Sequence, residues 1–461
     1  MSIVGGIMVP HPPLIIPEVG RGGERVIKKT TAAYIKAAQF VADLRPETIV
    51  LSSPHSIMYS DYLHISPGYE ASGDLSRFGA GEVKVSVEYD ADFSCMLCEL
   101  SEEEKIPAGY MGESDSSLDH GTIVPLYFIL QKYTDFKLVR LGISGISFEK
   151  HYRMGMIIQK AANKLGKRVV YVASGDLSHK LKEDGPYGFD KNGPLYDEKI
   201  MDCMGRGDFE ELLKFDPYLC EKAAECGHRS FIIMGGAFDG LEVETKKLSH
   251  EDVTGVGYGI CTYKVIGSTD GNRFLEKYLA EERNSLEEKR AMEDPYVKLA
   301  SKTIETYVRE ARIIDVPSNL PDDMYQKSAG CFVSLHLRGA LRGCIGTISA
   351  TCSCIAEEII QNAISASTKD PRFEPVEVNE LDLLEYSVDV LGEAMDVKSK
   401  DMLDAKKYGV IVTNGFRRGL LLPDLEGVNT VDEQIAIARR KAGIGEDEEI
   451  TLQRFEVIRH N

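Results

Sequence analysis

The chain has 461 residues, more than one ordinary domain holds and enough for two or three compact ones. With 43% hydrophobic and 28% charged residues it sits in the soluble globular range, which excludes disorder as the main state. Asp and Glu total 73 against 54 Lys and Arg, a formal charge of −19, so the long-range field repels nucleic-acid phosphates and anionic lipid, and neither is an expected partner.

No apolar run approaches the roughly 20 residues that span a bilayer, and the start, Met-Ser-Ile-Val-Gly-Gly, carries no basic region. The expectation is a cytoplasmic protein whose ten cysteines are thiols. Cys95 and Cys98 form a lone CxxC in a predicted helix, and Cys352 with Cys354 a CxC; neither completes a four-ligand metal pattern.

In chain order, apolar β-branched runs at Ile3–Met8, Thr48–Ser52, Lys137–Ile143 and Arg168–Ala173 alternate with helical stretches. That pattern predicts an α/β domain over residues 1–267, with buried strands in a mixed or parallel sheet flanked by helices. A charged, helix-favouring linker follows at 268–290. Residues 291–461 read differently: a helix at Val297–Glu310, strand-like runs at Cys331–Leu337 and Leu341–Ile348, a helix at Ile355–Ser367, then strands at Leu384–Leu391 and Gly409–Thr413. This predicts a smaller α+β domain.

The chemistry-bearing residues fall where the first domain's strands end. Three predicted strands run out into His11, His55 and His179, and ligands of α/β sheets gather beyond the carboxyl ends of strands. Pro10 and Pro54 cannot donate to a ladder, so each should stop its strand and aim the next histidine outward. Asp176 is placed to orient the His179 imidazole, or else to form a turn at the strand exit. Asp119-His120 is a further site candidate, the alternative being a capped helix start. Two neutral imidazoles holding a divalent metal need an anionic ligand, and Glu225 and Cys226 are the candidates: the carboxylate would suit Fe(II), the thiol copper(I) or zinc. His228 is expected behind the site, and His64, His151 and His250 are expected to be surface or structural residues.

Val-Pro-His-Pro-Pro (9–13), Ser-Ser-Pro-His-Ser (52–56), Leu-Asp-His-Gly (118–121), Ser-Gly-Asp-Leu-Ser-His (174–179), Glu-Cys-Gly-His-Arg-Ser (225–230) and Gly-Ala-Phe-Asp-Gly (236–240) together resemble the LigB-like class III extradiol ring-cleavage dioxygenases and their Memo relatives. The resemblance implies a non-haem Fe(II) enzyme acting on a catechol-like or phenolic substrate. His11 and His55 would be metal ligands and His179 the acid/base, while the third ligand corresponds to Glu225 or, as in Memo relatives, to Cys226. Two alternatives stand behind it: a non-enzymatic metal- or peptide-binding scaffold, as the resemblance to Memo relatives implies, and a metal-assisted hydrolase or lyase that uses the same ligands with water in the open position.

Leu-Arg-Gly-Cys-Ile-Gly (341–346), Asp-Pro-Arg-Phe (370–373), Tyr-Ser-Val-Asp-Val-Leu (386–391), Tyr-Gly-Val-Ile-Val (408–412) and Arg-Gly-Leu-Leu-Leu-Pro (418–423) resemble the AMMECR family. At its signature, Arg342 is expected to grip a carboxylate or phosphate and Cys344 to act as a nucleophile or soft ligand, unless the segment is a tight crossing with Arg342 paired to Asp370. The joint resemblance implies a radical S-adenosylmethionine enzyme as partner, with fusion holding two sites at high effective concentration.

Overall fold

The computed structural model describes residues 2–112, 117–425 and 427–461. The chain divides into two compact units, Met1–Leu279 and Ala280–Asn461. No helix among the described residues is long and apolar enough to cross a membrane.

The longer strands of the first unit are β1 (Ile3–Val9), β2 (Thr48–Ser53), β3 (Glu70–Leu75), β4 (Ala80–Glu88), β5 (Lys137–Gly142), β6 (Val169–Ser174), β7 (Leu241–Glu251) and β8 (Tyr258–Ser268). Six of them form one sheet in the order β5-β2-β6-β1-β8-β7. β5, β2, β6 and β1 are parallel, whereas β8 and β7 add antiparallel at one edge. Successive residues of the parallel strands point to opposite faces, and both faces are covered, which is why these strands read as continuous apolar runs. Val50, Leu141 and Tyr171 lie in one core with Ile157 and Phe231, and Ile49, Leu51 and Val172 in the other with Tyr34 and Ile123.

The helices that build those layers are α1 (Lys28–Leu44), α2 (Ala91–Glu103), α3 (His120–Leu130), α4 (Phe148–Leu165), α5 (Asn192–Arg206), α6 (Pro217–Ala223) and α7 (His228–Ala237). Residues of α2, α4, α5 and α7 pack into the first core; α1, α3 and the β3–β4 hairpin pack into the second. Pro10 and Pro54 follow the last residues of β1 and β2, as their lack of an N–H requires.

α8 (Phe274–Met292) occupies the charged stretch expected to be helical, and the division between units falls within it. The second unit adds α9 (Pro295–Glu310), α10 (Ile355–Thr368) and α11 (Val431–Ala442). Its strands are β9 (Cys331–Leu337), β10 (Ala340–Gly346), β11 (Leu384–Leu391), β12 (Met395–Val397), β13 (Gly409–Asn414), β14 (Arg417–Leu421), β15 (Thr451–Phe455) and β16 (Val457–His460). They make two antiparallel sheets, β10-β9-β11-β16 and β12-β15-β13-β14, each with its own apolar core. The α+β class follows from the separation of these sheets from the helices that cover them.

Candidate metal centre

β2, β6 and β1 are adjacent and parallel, so His55, Asp176 and His11, each two residues past a strand end, leave the sheet side by side. His11 Nε2 lies 3.0 Å from His55 Nε2 and 3.6 Å from Cys226 Sγ. Among the described residues, His11, His55 and Cys226 form a group whose donor atoms all lie within 4.8 Å of one another. His11 is buried, Cys226 half-buried, and His55 stands on the side that solvent reaches.

The tautomer of His11 is fixed by a chain of hydrogen bonds that begins at a proline. Pro125 sits inside α3 and has no N–H to give the carbonyl of Gly121, four residues earlier. That carbonyl accepts instead from the Ser174 hydroxyl at 2.6 Å. With its single hydrogen spent there, Ser174 Oγ can only accept from His11 Nδ1, 3.0 Å away. His11 therefore carries its hydrogen on Nδ1 and turns the Nε2 lone pair toward His55 and Cys226. The His11 N–H donates to Asp176 Oδ1 at 2.8 Å, and Tyr34 donates to the Pro10 carbonyl at 2.7 Å, pinning the loop.

Cys226 reaches the histidines because two glycines let their loops touch. A Cβ at Gly175 would lie 2.1 Å from the Gly227 Cα, and the Gly227 N–H donates to the Asp176 carbonyl at 3.1 Å. The Asp176 N–H then donates to Cys226 Sγ at 3.3 Å. Ala224, left-handed with φ 52°, turns the chain into this segment from α6. Its carbonyl accepts from His179 Nδ1, leaving His179 Nε2 without that proton.

Burial sets the protonation of the cluster. It holds the His11 pKa well below the usual histidine value, helped by His55, His120 and His179, and it lowers His55 and His179 as well. His120 is pushed down to about 4, first by burial and then by His55. Asp176 is raised to about 7 by burial. Burial, with Asp176 and Glu225 nearby, raises the Cys226 thiol well above its ordinary range. Uncharged imidazoles of His11, His55 and His120 beside the Cys226 thiol are a ligand environment, and a bound cation would pull the thiol proton off.

The distances fit a first-row metal. Two imidazole nitrogens and a thiolate at ordinary Zn–N and Zn–S bond lengths stand about 3.3 Å and about 3.6 Å apart in a tetrahedron. The 3.0 and 3.6 Å separations are close to those values.

Several expectations change. Glu225 is not gathered with the histidines. Its Oε2 accepts from the His228 N–H at 2.6 Å at the start of α7, and burial raises its pKa to about 7. Cys226, one residue on, is the member of that pair whose donor atom faces the cluster. Asp176 does not orient the His179 ring by a hydrogen bond, since Oδ2 lies 4.0 Å from Nε2; the Ala224 carbonyl holds that ring instead.

Asp119-His120 fills both of its readings. Asp119 caps α3 by accepting from the Thr122 N–H at 3.1 Å, and it takes the Ser53 hydroxyl at 2.6 Å. The His120 ring lies 4.1 Å from that of His55. His228 is buried between Tyr196, 3.2 Å away, and the Leu212 carbonyl, 3.0 Å away, a structural role. His64 and His151 are likewise buried structural residues, and His250 pairs with Asp197 at 2.8 Å. The sequence reading missed Ser174, Tyr34 and Pro125; a proline inside an otherwise helical apolar run was the available signal for the last.

A cleft of about 750 Å³ opens beside the cluster, lined by His55, His120, Phe78, Arg77, Asp74 and Lys84 among others. The Phe78 ring meets that of His120 edge-on at 5.2 Å. Its size suits a small aromatic molecule.

In the second unit, Arg342 is paired with Glu380, not Asp370, by two bonds of 2.7 and 2.9 Å, and it also donates to the Glu374 and Pro375 carbonyls. It is consumed by the fold. Asp370 binds Arg372 and accepts from the Cys344 N–H at 2.9 Å.

Fold and site together define an α/β protein with a His/His/Cys cluster at the carboxyl ends of its parallel strands, joined to an α+β unit. Residues 5–261 match the family described as the catalytic LigB subunit of aromatic ring-opening dioxygenase, and residues 297–460 match AMMECR1. A protein of Clostridium acetobutylicum is 40% identical over 470 aligned positions, covering 100% of this chain and 99% of its own. A Thermotoga maritima protein is 51% identical over 170 positions, 36% of this chain and 98% of its own. Among solved structures, a Pyrococcus horikoshii protein is similar at 30% identity with a TM-score of 0.34, covering 36% of this chain and 88% of its own. An Escherichia coli protein is similar at 15% identity with a TM-score of 0.39, covering 56% and 99%. The chain belongs to the LigB family and carries an AMMECR1 domain after its LigB domain.

Proposed function

We propose that the first unit is a metal-dependent oxidoreductase of the class III extradiol dioxygenase type, acting on a small catechol-like or phenolic molecule. The observation that carries this reading is the convergence of His11, His55 and Cys226 donor atoms beside a cleft of aromatic size. A metal bound by these residues, Fe(II) in the family's chemistry, supplies a Lewis acid and redox centre for phenolic oxygens.

The chain's own groups do the rest. His11, fixed as the Nδ1–H tautomer by Ser174, offers its lone pair without having to lose a proton. His179 is held through Nδ1 by the Ala224 carbonyl and kept neutral by its lowered pKa, so Nε2 is ready to take a proton from a substrate hydroxyl. His120 and Phe78 form the aromatic wall against which a ring would lie.

The thiol ligand favours a second reading, zinc or copper(I) in the same site, with zinc supporting metal-assisted hydrolysis. A radical S-adenosylmethionine enzyme is the partner we propose for the two-unit chain. The test is anaerobic reconstitution with Fe(II), zinc or copper(I), followed by titration with catechol under iron spectroscopy. One iron per chain whose spectrum shifts with catechol supports the first reading; zinc or copper(I) retained while iron is refused supports the second. No uptake of any metal, or uptake undiminished in His11→Ala and His55→Ala, overturns both and leaves the cleft as a scaffold.

A further inference from the structure

The signature Leu341-Arg342-Gly343-Cys344-Ile345-Gly346 has its charged and small residues committed to holding one strand rigid. Arg342 is the extra residue of a β-bulge opposite Leu335 and His336, clamped by Glu380. Gly343 lets β10 approach α10 so closely that a Cβ there would stand 2.3 Å from the Ala366 carbonyl. The Cys344 peptide is fixed at both ends, its N–H to Asp370 and its carbonyl accepting from Arg372 at 3.3 Å. What this clamped strand leaves to present is the side chains of Leu341 and Cys344.

Those side chains belong to the sheet face that the helices do not use. Along β9, Val333 and Leu335 are fully buried in the helix-side core, so Ser334 and His336 point the other way. Cys344 is paired with Ser334 across the ladder, and the Ser334 hydroxyl donates to Cys344 Sγ at 3.2 Å. Ser387 flanks Ser334 on β11. A polar face of this kind normally opens to water, yet here it floors a cavity of about 900 Å³.

The walls of that cavity carry a set of apolar side chains among charged ones: Leu286 and Met292 from the last turns of α8, Leu341, and Leu422 with Leu425 after β14. Met292 is 84% exposed and Leu341 39%, apolar surface left facing the opening. The charged groups that line it already have partners: Lys289 with Glu385 at 2.5 Å, Arg459 with Asp389 at 2.8 and 3.0 Å, Asp424 with Lys406 at 3.1 Å, Arg290 donating to the Leu381 carbonyl at 2.5 Å, and Glu293 accepting from Ser301 at 3.2 Å. A ligand here needs no charge of its own.

We propose that this cavity binds an uncharged, amphipathic small organic molecule, with its polar edge on Ser334, Cys344 and Ser387 and its apolar body against the leucine walls. The volume lies within the range of sites for such ligands, and a rigid floor under apolar walls is how they are built. The inference is independent of the metal centre.

The test uses the full chain and an uncharged fluorescent probe, N-phenyl-1-naphthylamine, with alkylation of Cys344 by iodoacetamide followed by peptide mass analysis. With the probe at about ten times its Kd, Cys344 should be alkylated about tenfold more slowly while the exposed Cys95 reacts as before. Leu425→Glu should weaken the probe by about tenfold or more through loss of apolar contact. Where that variant fails to fold, protection in the unsubstituted chain decides. Absence of saturable binding, or an unchanged Cys344 rate at saturation, overturns the proposal.

Discussion

Glu225 and Cys226 are adjacent in one turn, yet their side chains part, one to the first N–H of α7 and the other to the histidines. Removing the thiol in Cys226→Ala takes one of three donors from the centre, so metal affinity should fall by more than the roughly hundredfold that loss of an outer hydrogen bond causes. Glu225→Gln keeps an oxygen acceptor for the His228 N–H, so metal binding should hold and stability should change by less than about 1 kcal/mol. Competition of each variant against a chelator of known affinity measures this. Uptake lost in Glu225→Gln and kept in Cys226→Ala would reverse the assignment of the third ligand. The histidines themselves were legible in the sequence because each follows a proline or glycine break at a strand end. Which of two neighbouring residues faces the histidines was not, since that depends on the left-handed turn at Ala224 and on the touching glycines Gly175 and Gly227. Arg342 misled for a related reason, as its partner Glu380 comes from a loop whose position only the fold reveals.

The elements that carry the site are positioned by backbone contact as much as by apolar packing. α4 and α7 cross so closely that a Cβ at Gly236 would stand 1.9 Å from the Tyr152 carbonyl, and one at Gly155 2.0 Å from the Ile233 carbonyl. Gly236→Ala must push the helices apart, at a cost of about 3 kcal/mol or somewhat more. Because α7 begins two residues after Cys226, the same change should weaken metal binding. Urea denaturation of the metal-free variant gives the first number and chelator competition the second. A loss under about 0.5 kcal/mol would mean the crossing relaxes freely and the two helices are not closely packed. The parallel strands and main helices were legible because continuous apolar runs and helical periods announce them. The β3–β4 hairpin was less so, since exposed residues alternate along it and break the apolar run, and the short strands β12, β15 and β16 were less so because they pair with partners distant in the chain.

Across the whole molecule, the shifted groups divide by unit and set different acid limits. In the first unit six histidines titrate below their ordinary value, among them His151 at about 4 and His228 at about 3. The unfolded chain binds their protons first, so the stability they contribute is whole above about pH 6.5 and is lost as the pH falls toward the folded values. Asp176 and Glu225, raised to about 7, and Asp197, also raised, act in the opposite sense, favouring the fold as pH falls. Three such carboxyls do not cancel six histidines, and each net proton is worth about 1.4 kcal/mol per pH unit. In the second unit Asp370, Glu380 and Glu358 are held below the carboxylate range, Asp370 chiefly by Arg372. Their share is kept until the pH falls below their unfolded values near 4. Glu293, which burial raises, opposes them by one group. Chelator-treated protein should therefore open its first unit between about pH 6.5 and pH 4 and its second only below about pH 4. Hydrogen exchange resolved by peptide and corrected for intrinsic rates reads the two separately. If residues 297–460 lose protection first, or both units open together below about pH 4, the buried neutral histidines do not govern the acid stability of the LigB domain.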